Sequence, residues 1–135
     1  MRTYDIAVIP GDGIGREVTP AALYVAEEAA KRWGFKLNFK EFPWNADYYL
    51  EHGQVIPDEG FKILRGFPAI YLGALGAPDR VPDHILLRQS VIRIRQEFDQ
   101  YINLRPVKVL PGIPGPLRNA ANVDMLCVRE NSEGE

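Results

Sequence analysis

Three arginines of this 135-residue chain fall in three different predicted elements. Arg95 lies on a helical stretch, Arg105 on the extended stretch that follows, and Arg129 at the end of the last apolar strand. A guanidinium group is planar and forms bidentate hydrogen bonds, so three converging from separate elements can bind a small dicarboxylate. Arginines on a charged surface are also commonly solvated or loosely paired, and residue type alone does not separate the two readings. A second group is the loop Gly11-Asp12-Gly13-Ile14-Gly15, set between an apolar strand and a long helix. Backbone N–H groups at a helix start attract phosphate. The dinucleotide fingerprint needs glycine at its first, third and sixth positions, and the sixth from Gly11 is Arg16; the Lys-Ser/Thr pair of a Walker A loop is missing too. Two readings remain, a tight turn that requires positive φ and a loop that faces a ligand.

The elements that position these residues follow from hydrophobic patterning. Ile6 to Ile9 form a short apolar run typical of a strand buried on both faces. A helix is expected over 16–33, with Val18, Ala22, Val25, Ala26 and Ala29 on its core face and Gly34 as its left-handed stop. Residues 35–42 alternate apolar with polar and read as a half-covered strand. Short helices are expected over 45–51, ending near Gly53, and over 58–64, the latter capped by Asp58. Ala69 to Leu72 form a third apolar strand. The order β-α-β-α-β favours an α/β fold with a mixed, largely parallel sheet flanked by helices.

Beyond it, Val81-Pro82-Asp83-His84 starts another helix, whose core stripe reads Leu87, Val91, Ile94 and Phe98. Arg88 and Arg95, seven apart, share a second face of it. An extended stretch over 101–110, a Pro/Gly-rich turn over 111–116 and an apolar strand over 123–129 complete the chain. His84 and Cys127 read as structural, a helix-start histidine and a small buried thiol.

Composition narrows the function classes. Sixteen Lys+Arg against eighteen Asp+Glu give a formal charge of −2, which provides no basic field for nucleic acid or an acidic membrane. The single cysteine excludes an intrachain disulfide and a multi-cysteine zinc site. Arg2 and Asp5 interrupt the N-terminus before any long apolar run, so no signal peptide is expected. No stretch approaches the roughly 18 apolar residues that span a bilayer, and the expected compartment is the cytoplasm.

Three segments occur in a fixed order: Gly11-Asp12-Gly13-Ile14-Gly15-Arg16-Glu17-Val18, then Ile94-Arg95-Gln96-Glu97-Phe98-Asp99-Gln100-Tyr101-Ile102-Asn103-Leu104-Arg105-Pro106, then Val128-Arg129-Glu130-Asn131-Ser132-Glu133-Gly134-Glu135. Together they resemble the β-decarboxylating dehydrogenases, the isocitrate, isopropylmalate, tartrate and D-malate enzymes. The resemblance runs over the whole chain. Val81-Pro82-Asp83-His84 and Phe98-Asp99-Gln100-Tyr101 look most like the tartrate/D-malate branch. The serine that isocitrate enzymes usually carry six residues before the first clamp arginine is Gln89 here, with Ser90 beside it. Arg16 stands where the family usually has proline, and Arg88 where the tartrate branch often has an aromatic residue.

The resemblance implies NAD-dependent oxidation and decarboxylation of a 2-hydroxy dicarboxylic acid, either D-malate or tartrate, or 3-isopropylmalate. Mg²⁺ or Mn²⁺ would assist, with ligands outside this chain. It implies that Arg95, Arg105 and Arg129 clamp the substrate carboxylate, and that Ile14, Gly73, Ala74 and Leu75 face the nicotinamide. It places residues 1–100 in the first α/β domain and 101–135 at the start of a substrate and dimerisation domain, in a homodimeric enzyme.

Family members are longer, and their acid–base tyrosine lies just past the final motif, so the chain reads as the front part of an enzyme. Glu133 and Glu135 are the carboxylates nearest that end. Residues 1–135 alone are expected to be inactive and poorly monodisperse, with the 123–128 strand unpaired. The competing reading is a non-catalytic anion-binding or regulatory fragment that keeps the arginine clamp without the redox machinery.

Overall fold

The computed structural model describes residues 1–115, 117 and 122–132. Pro116, which ends the expected turn, and Glu133 and Glu135 lie outside the described residues. The chain forms two compact units, Met1–Glu97 and Phe98–Glu135.

The first unit holds β1 (Arg2–Gly11), α1 (Gly15–Trp33), β2 (Phe35–Glu41), α2 (Ala46–His52), α3 (Asp58–Leu64), β3 (Ala69–Ala74), α4 (Asp83–Leu87) and α5 (Arg93–Glu97). A π-turn over Arg88–Ile92 joins the last two helices. The three strands form a parallel sheet in the order β2-β1-β3, with helices completing an α/β unit. As the central strand, β1 buries Ala7, Val8 and Ile9 completely, as its unbroken apolar run requires. Phe42 and Trp44 stack at 4.4 Å beyond β2, and Val55, Ile56, Phe61, Leu64, Val81, Leu86 and Ile94 complete the core.

Helix α1 runs as expected to Gly34, which takes φ 74° and returns its N–H to the Ala30 carbonyl. Its core face is rotated from the expected one. Gly15, Thr19 and Ala30 are buried, whereas Val18 and Val25 are exposed. The close seat of Gly15 on the Pro10 carbonyl fixes the helix azimuth, and small residues, not the valines, then face the sheet.

Asn45 caps α2 by accepting the Tyr48 N–H at 2.9 Å, and Gly53 closes the helix in the left-handed conformation. Asp58 does not cap α3. Pro57 occupies the cap position, and the Asp58 carboxylate instead pairs with Arg93 at 2.7 Å.

The core stripe of the last helical segment reads Leu86, Ser90 and Ile94, not Leu87 and Val91. The π-turn widens the helix by a residue and turns every fourth side chain inward. Ser90, fully buried, donates its hydroxyl to the Leu86 carbonyl within that turn, a back-bond that bends helices.

The second unit is an antiparallel ribbon of β4 (Ile102–Lys108) and β5 (Asp124–Glu130). The strand expected to be unpaired is thus paired along its whole length, from Lys108↔Asp124 to Ile102↔Glu130. Alternation places Asn103, Arg105, Val107, Met125, Cys127 and Arg129 on one face. Ile102, Leu104, Pro106, Leu126 and Val128 line the other.

Candidate functional site

The order β2-β1-β3 means that the chain leaves β1 toward β2 and then crosses back to place β3 on the other side. A reversal of this kind opens a crevice at the carboxyl ends of the strands, where open parallel sheets bind ligands. Here those ends are Gly11 on β1 and Ala74 on β3, which are register partners. The four residues that the resemblance assigns to the cofactor, Ile14, Gly73, Ala74 and Leu75, all come to this edge.

Their roles there differ. Ile14 is 59% exposed at the start of α1, and a Cβ placed on neighbouring Gly13 would meet nothing within 4 Å, so this loop presents an open, apolar surface. Gly73 serves packing instead. A Cβ there would lie 2.2 Å from the Pro10 carbonyl oxygen and 2.9 Å from Thr19 Oγ1. A Cβ on Gly15 would meet the same carbonyl oxygen at 2.2 Å, and one on Gly11 the Ala74 oxygen at 2.0 Å. Gly11 and Gly13 further adopt φ 80° and 46°, the left-handed region that glycine enters without a Cβ penalty. The loop therefore meets the first sequence reading, a turn that demands glycine.

Asp12 carries a role that motif matching does not reveal. It is 2% exposed, its N–H donates to the Ala74 carbonyl at 2.6 Å, and its carboxylate accepts the N–H groups of Ala46 at 3.0 Å and Gly76 at 3.2 Å. One side chain thus ties the first loop to the start of α2 and to the loop after β3. On the outer side, Asp47 accepts hydrogen bonds from both Arg16 and Arg80. These two guanidinium groups, Arg80 first, hold its carboxyl below the usual carboxylate range, and Asp47 in turn raises Arg80. Two charges of one sign around one of the other is a tertiary arrangement, invisible in three well-separated sequence positions.

The ribbon places two of the three arginines expected to form the clamp on one face. Arg105 pairs with Cys127 and Arg129 with Asn103, so both lie on one face of the ribbon as diagonal neighbours. Such positions are about 7–8 Å apart, within reach of one ligand for side chains this long. Arg95, on α5, belongs to the first unit. Arg16, Arg65, Arg80 and Arg93 all form ion pairs. The guanidinium groups of Arg95, Arg105 and Arg129, like those of Arg2 and Arg88, form no hydrogen bond or ion pair among the described residues.

Gln89 is engaged in the scaffold, accepting the Val55 N–H at 3.1 Å. His84 sits exposed in the first turn of α4. Cys127 is exposed, not buried, and stands opposite Arg105 on the ribbon. Among the described residues no three His, Cys, Asp or Glu side chains cluster as a metal ion would need. No described helix is long and apolar enough to cross a membrane.

Comparison with known proteins matches residues 5–135 to the isocitrate/isopropylmalate dehydrogenase family. The D-malate dehydrogenase (decarboxylating) of Escherichia coli strain K12 is 51% identical over all of this chain and 38% of its own length. The tartrate dehydrogenase/decarboxylase of Pseudomonas putida is 49% identical over 98% of this chain and 37% of its own. Among solved structures, the β-decarboxylating dehydrogenase of Thermococcus kodakarensis superposes with a TM-score of 0.73 at 32% identity, over 97% of this chain and 35% of that one. The isocitrate dehydrogenase of Methylococcus capsulatus gives 0.77 at 27% identity, over 97% and 35%. The chain therefore spans a little over a third of the length of the relatives it matches.

Proposed function

This chain belongs to the isocitrate/isopropylmalate dehydrogenase family, and on that premise we propose that the full-length protein is an NAD-dependent β-decarboxylating dehydrogenase for a 2-hydroxy dicarboxylate of the D-malate or tartrate type. Relatives of about half-identical sequence carry those two names. The observation that carries the reading is the same-face placement of Arg105 and Arg129, whose guanidinium groups have no hydrogen-bond or ion-pair partner among the described residues. A buried or surface-paired arginine has its donors occupied. A substrate-binding arginine must keep them for the ligand.

In this reading Arg105, Arg129 and Arg95 hold the substrate carboxylates through charge-assisted hydrogen bonds. Ile14, Gly73, Ala74 and Leu75 face the nicotinamide in the same reading. NAD, when bound there, accepts the C2 hydrogen as hydride. The hydroxyl proton is lost, the bond to the second carboxylate then breaks to release CO₂, and the electron pair left behind is protonated. Guanidinium donors already in place stabilise oxygen-centred charge through these changes without reorganising. Mg²⁺ or Mn²⁺ would assist, held by ligands outside this chain. Residues 1–100 belong to the first domain and 101–135 open the second, in a dimer.

The test is NADH formation by the purified full-length protein with D-malate, tartrate and 3-isopropylmalate as separate substrates. Turnover of D-malate or tartrate with release of CO₂ is the expected result. Binding of these acids without turnover would favour a regulatory anion-binding protein instead, and neither binding nor turnover would remove the proposal.

A further inference from the structure

We infer that Asp12 is a positioning residue for the cofactor loop: its carboxylate and its backbone N–H together fix the segment on both sides of Leu75. This inference rests on the dehydrogenase reading and deepens it. The Asp12 N–H holds the Ala74 carbonyl at 2.6 Å and its carboxylate holds the Gly76 N–H at 3.2 Å, so Leu75 is bracketed by bonds to one residue. The same carboxylate takes the Ala46 N–H at 3.0 Å to one oxygen and 3.3 Å to the other. Loop geometry at the mouth of β3 is thereby referenced to the start of α2 as well as to β1.

An acidic side chain suits this role. Both oxygens of a carboxylate accept, so two N–H groups arriving from different segments are satisfied at once. An amide presents one oxygen and one NH₂, and the NH₂ would face an N–H donor. Asparagine can therefore serve Ala46 or Gly76, but not both. Because Asp12 and Ala46 are buried, an Ala46 N–H released in this way has no water to turn to. Gly76 is the suitable second probe. A Cβ there meets only Asp83 Oδ1, at 3.9 Å, so alanine fits and retains the N–H, whereas proline removes it.

In the full-length protein, Asp12→Asn is expected to weaken NADH binding, followed by fluorescence titration without substrate, about tenfold or more. Amide exchange at Gly76 or Ala46 should accelerate in parallel. The KM for the hydroxy acid should change by less than about twofold, since its arginines lie on other elements. Gly76→Pro should reproduce the NADH defect and Gly76→Ala should not. Combining Asp12→Asn with Gly76→Pro should cost less than the sum of the two, because both break one bond.

Unchanged NADH binding in Asp12→Asn, or equal losses for NADH and hydroxy acid, would overturn the inference. So would failure of both Asp12→Asn and Gly76→Pro to fold, which would make Asp12 a folding residue. A wild-type protein that binds no NADH would instead sink the dehydrogenase reading, and the two failures are thus distinct.

Discussion

Arg105 and Arg129 stand diagonally on one face of the β4–β5 ribbon, each opposite a smaller side chain, Cys127 and Asn103 respectively. Twenty-four positions apart in sequence, they become neighbours because antiparallel pairing over Ile102↔Glu130 to Lys108↔Asp124 leaves both on the same side of the pleat. A one-residue slip in register would turn one of them to the apolar face.

Truncating either arginine in the full-length protein should therefore be costly. Each of Arg105→Ala and Arg129→Ala removes charge-assisted bonds worth about 1.5–3 kcal/mol, or about 10- to 100-fold in kcat/KM for the hydroxy acid. Arg→Lys at either site should recover only part of this, because an ammonium keeps the charge but not the two-pronged geometry. Steady-state kinetics check it, and wild-type kcat/KM in both alanine variants would remove the clamp.

The glycines around the β1 and β3 ends should rank by the space available to a Cβ. Gly15→Ala and Gly73→Ala each drive a methyl to 2.2 Å from the backbone oxygen of Pro10, which cannot step aside. Overpacking of this kind costs about 1–3 kcal/mol. Gly76→Ala, with its nearest neighbour at 3.9 Å, should stay within about 0.5 kcal/mol of wild type. Denaturant unfolding of the full-length variants gives the order, and equal effects at Gly15 and Gly76 would contradict it.

At the start of α2, Asn45→Ala removes the acceptor of the Tyr48 N–H. The expected loss is about 1 kcal/mol, and Asn45→Asp should restore most of it, since the carboxylate accepts the same bond and favours a helix N-terminus. Thermal unfolding midpoints test the pair of variants.

Asp47 should set part of the acid response. Hydrogen bonds from Arg80 and Arg16 hold its folded-state pKa below the unfolded value. A depressed carboxyl stabilises the fold at pH above the unfolded value of about 3.9 and loses that contribution as pH falls through the folded one. The stability difference between wild type and Asp47→Asn should thus be largest near neutrality and shrink on acidification. High salt should shrink it as well, because the pair is solvent-exposed. A difference that does not change with pH would refute the assignment.

The elements were legible where one chemical pattern dominates. The apolar run from Ile6 to Ile9 could only be a strand covered on both sides, and Gly34 and Gly53 end their helices as glycine at such positions does. Helix faces were harder to read. Val18 and Val25 lie on an apolar stripe and yet stand in solvent, because the docking of Gly15 on Pro10 sets the rotation of α1. Leu87 and Val91 were displaced from the core stripe by a π-turn that ideal helical spacing does not anticipate. The placement of Cys127 depended on what covers the ribbon, which its own small, weakly polar side chain does not specify.

Sequence alone determined the order of strands and helices, the glycine-rich turn after β1 and the three arginines on three elements, since local patterning and residue chemistry suffice for each. Tertiary structure decided that β3 crosses β1 to open a crevice at Gly11 and Ala74, and that Asp12 bonds to both sides of Leu75. It also decided that Arg105 and Arg129 share a face. Those relationships join residues tens of positions apart, and only strand register and the satisfaction of buried polar groups choose between the possible partners.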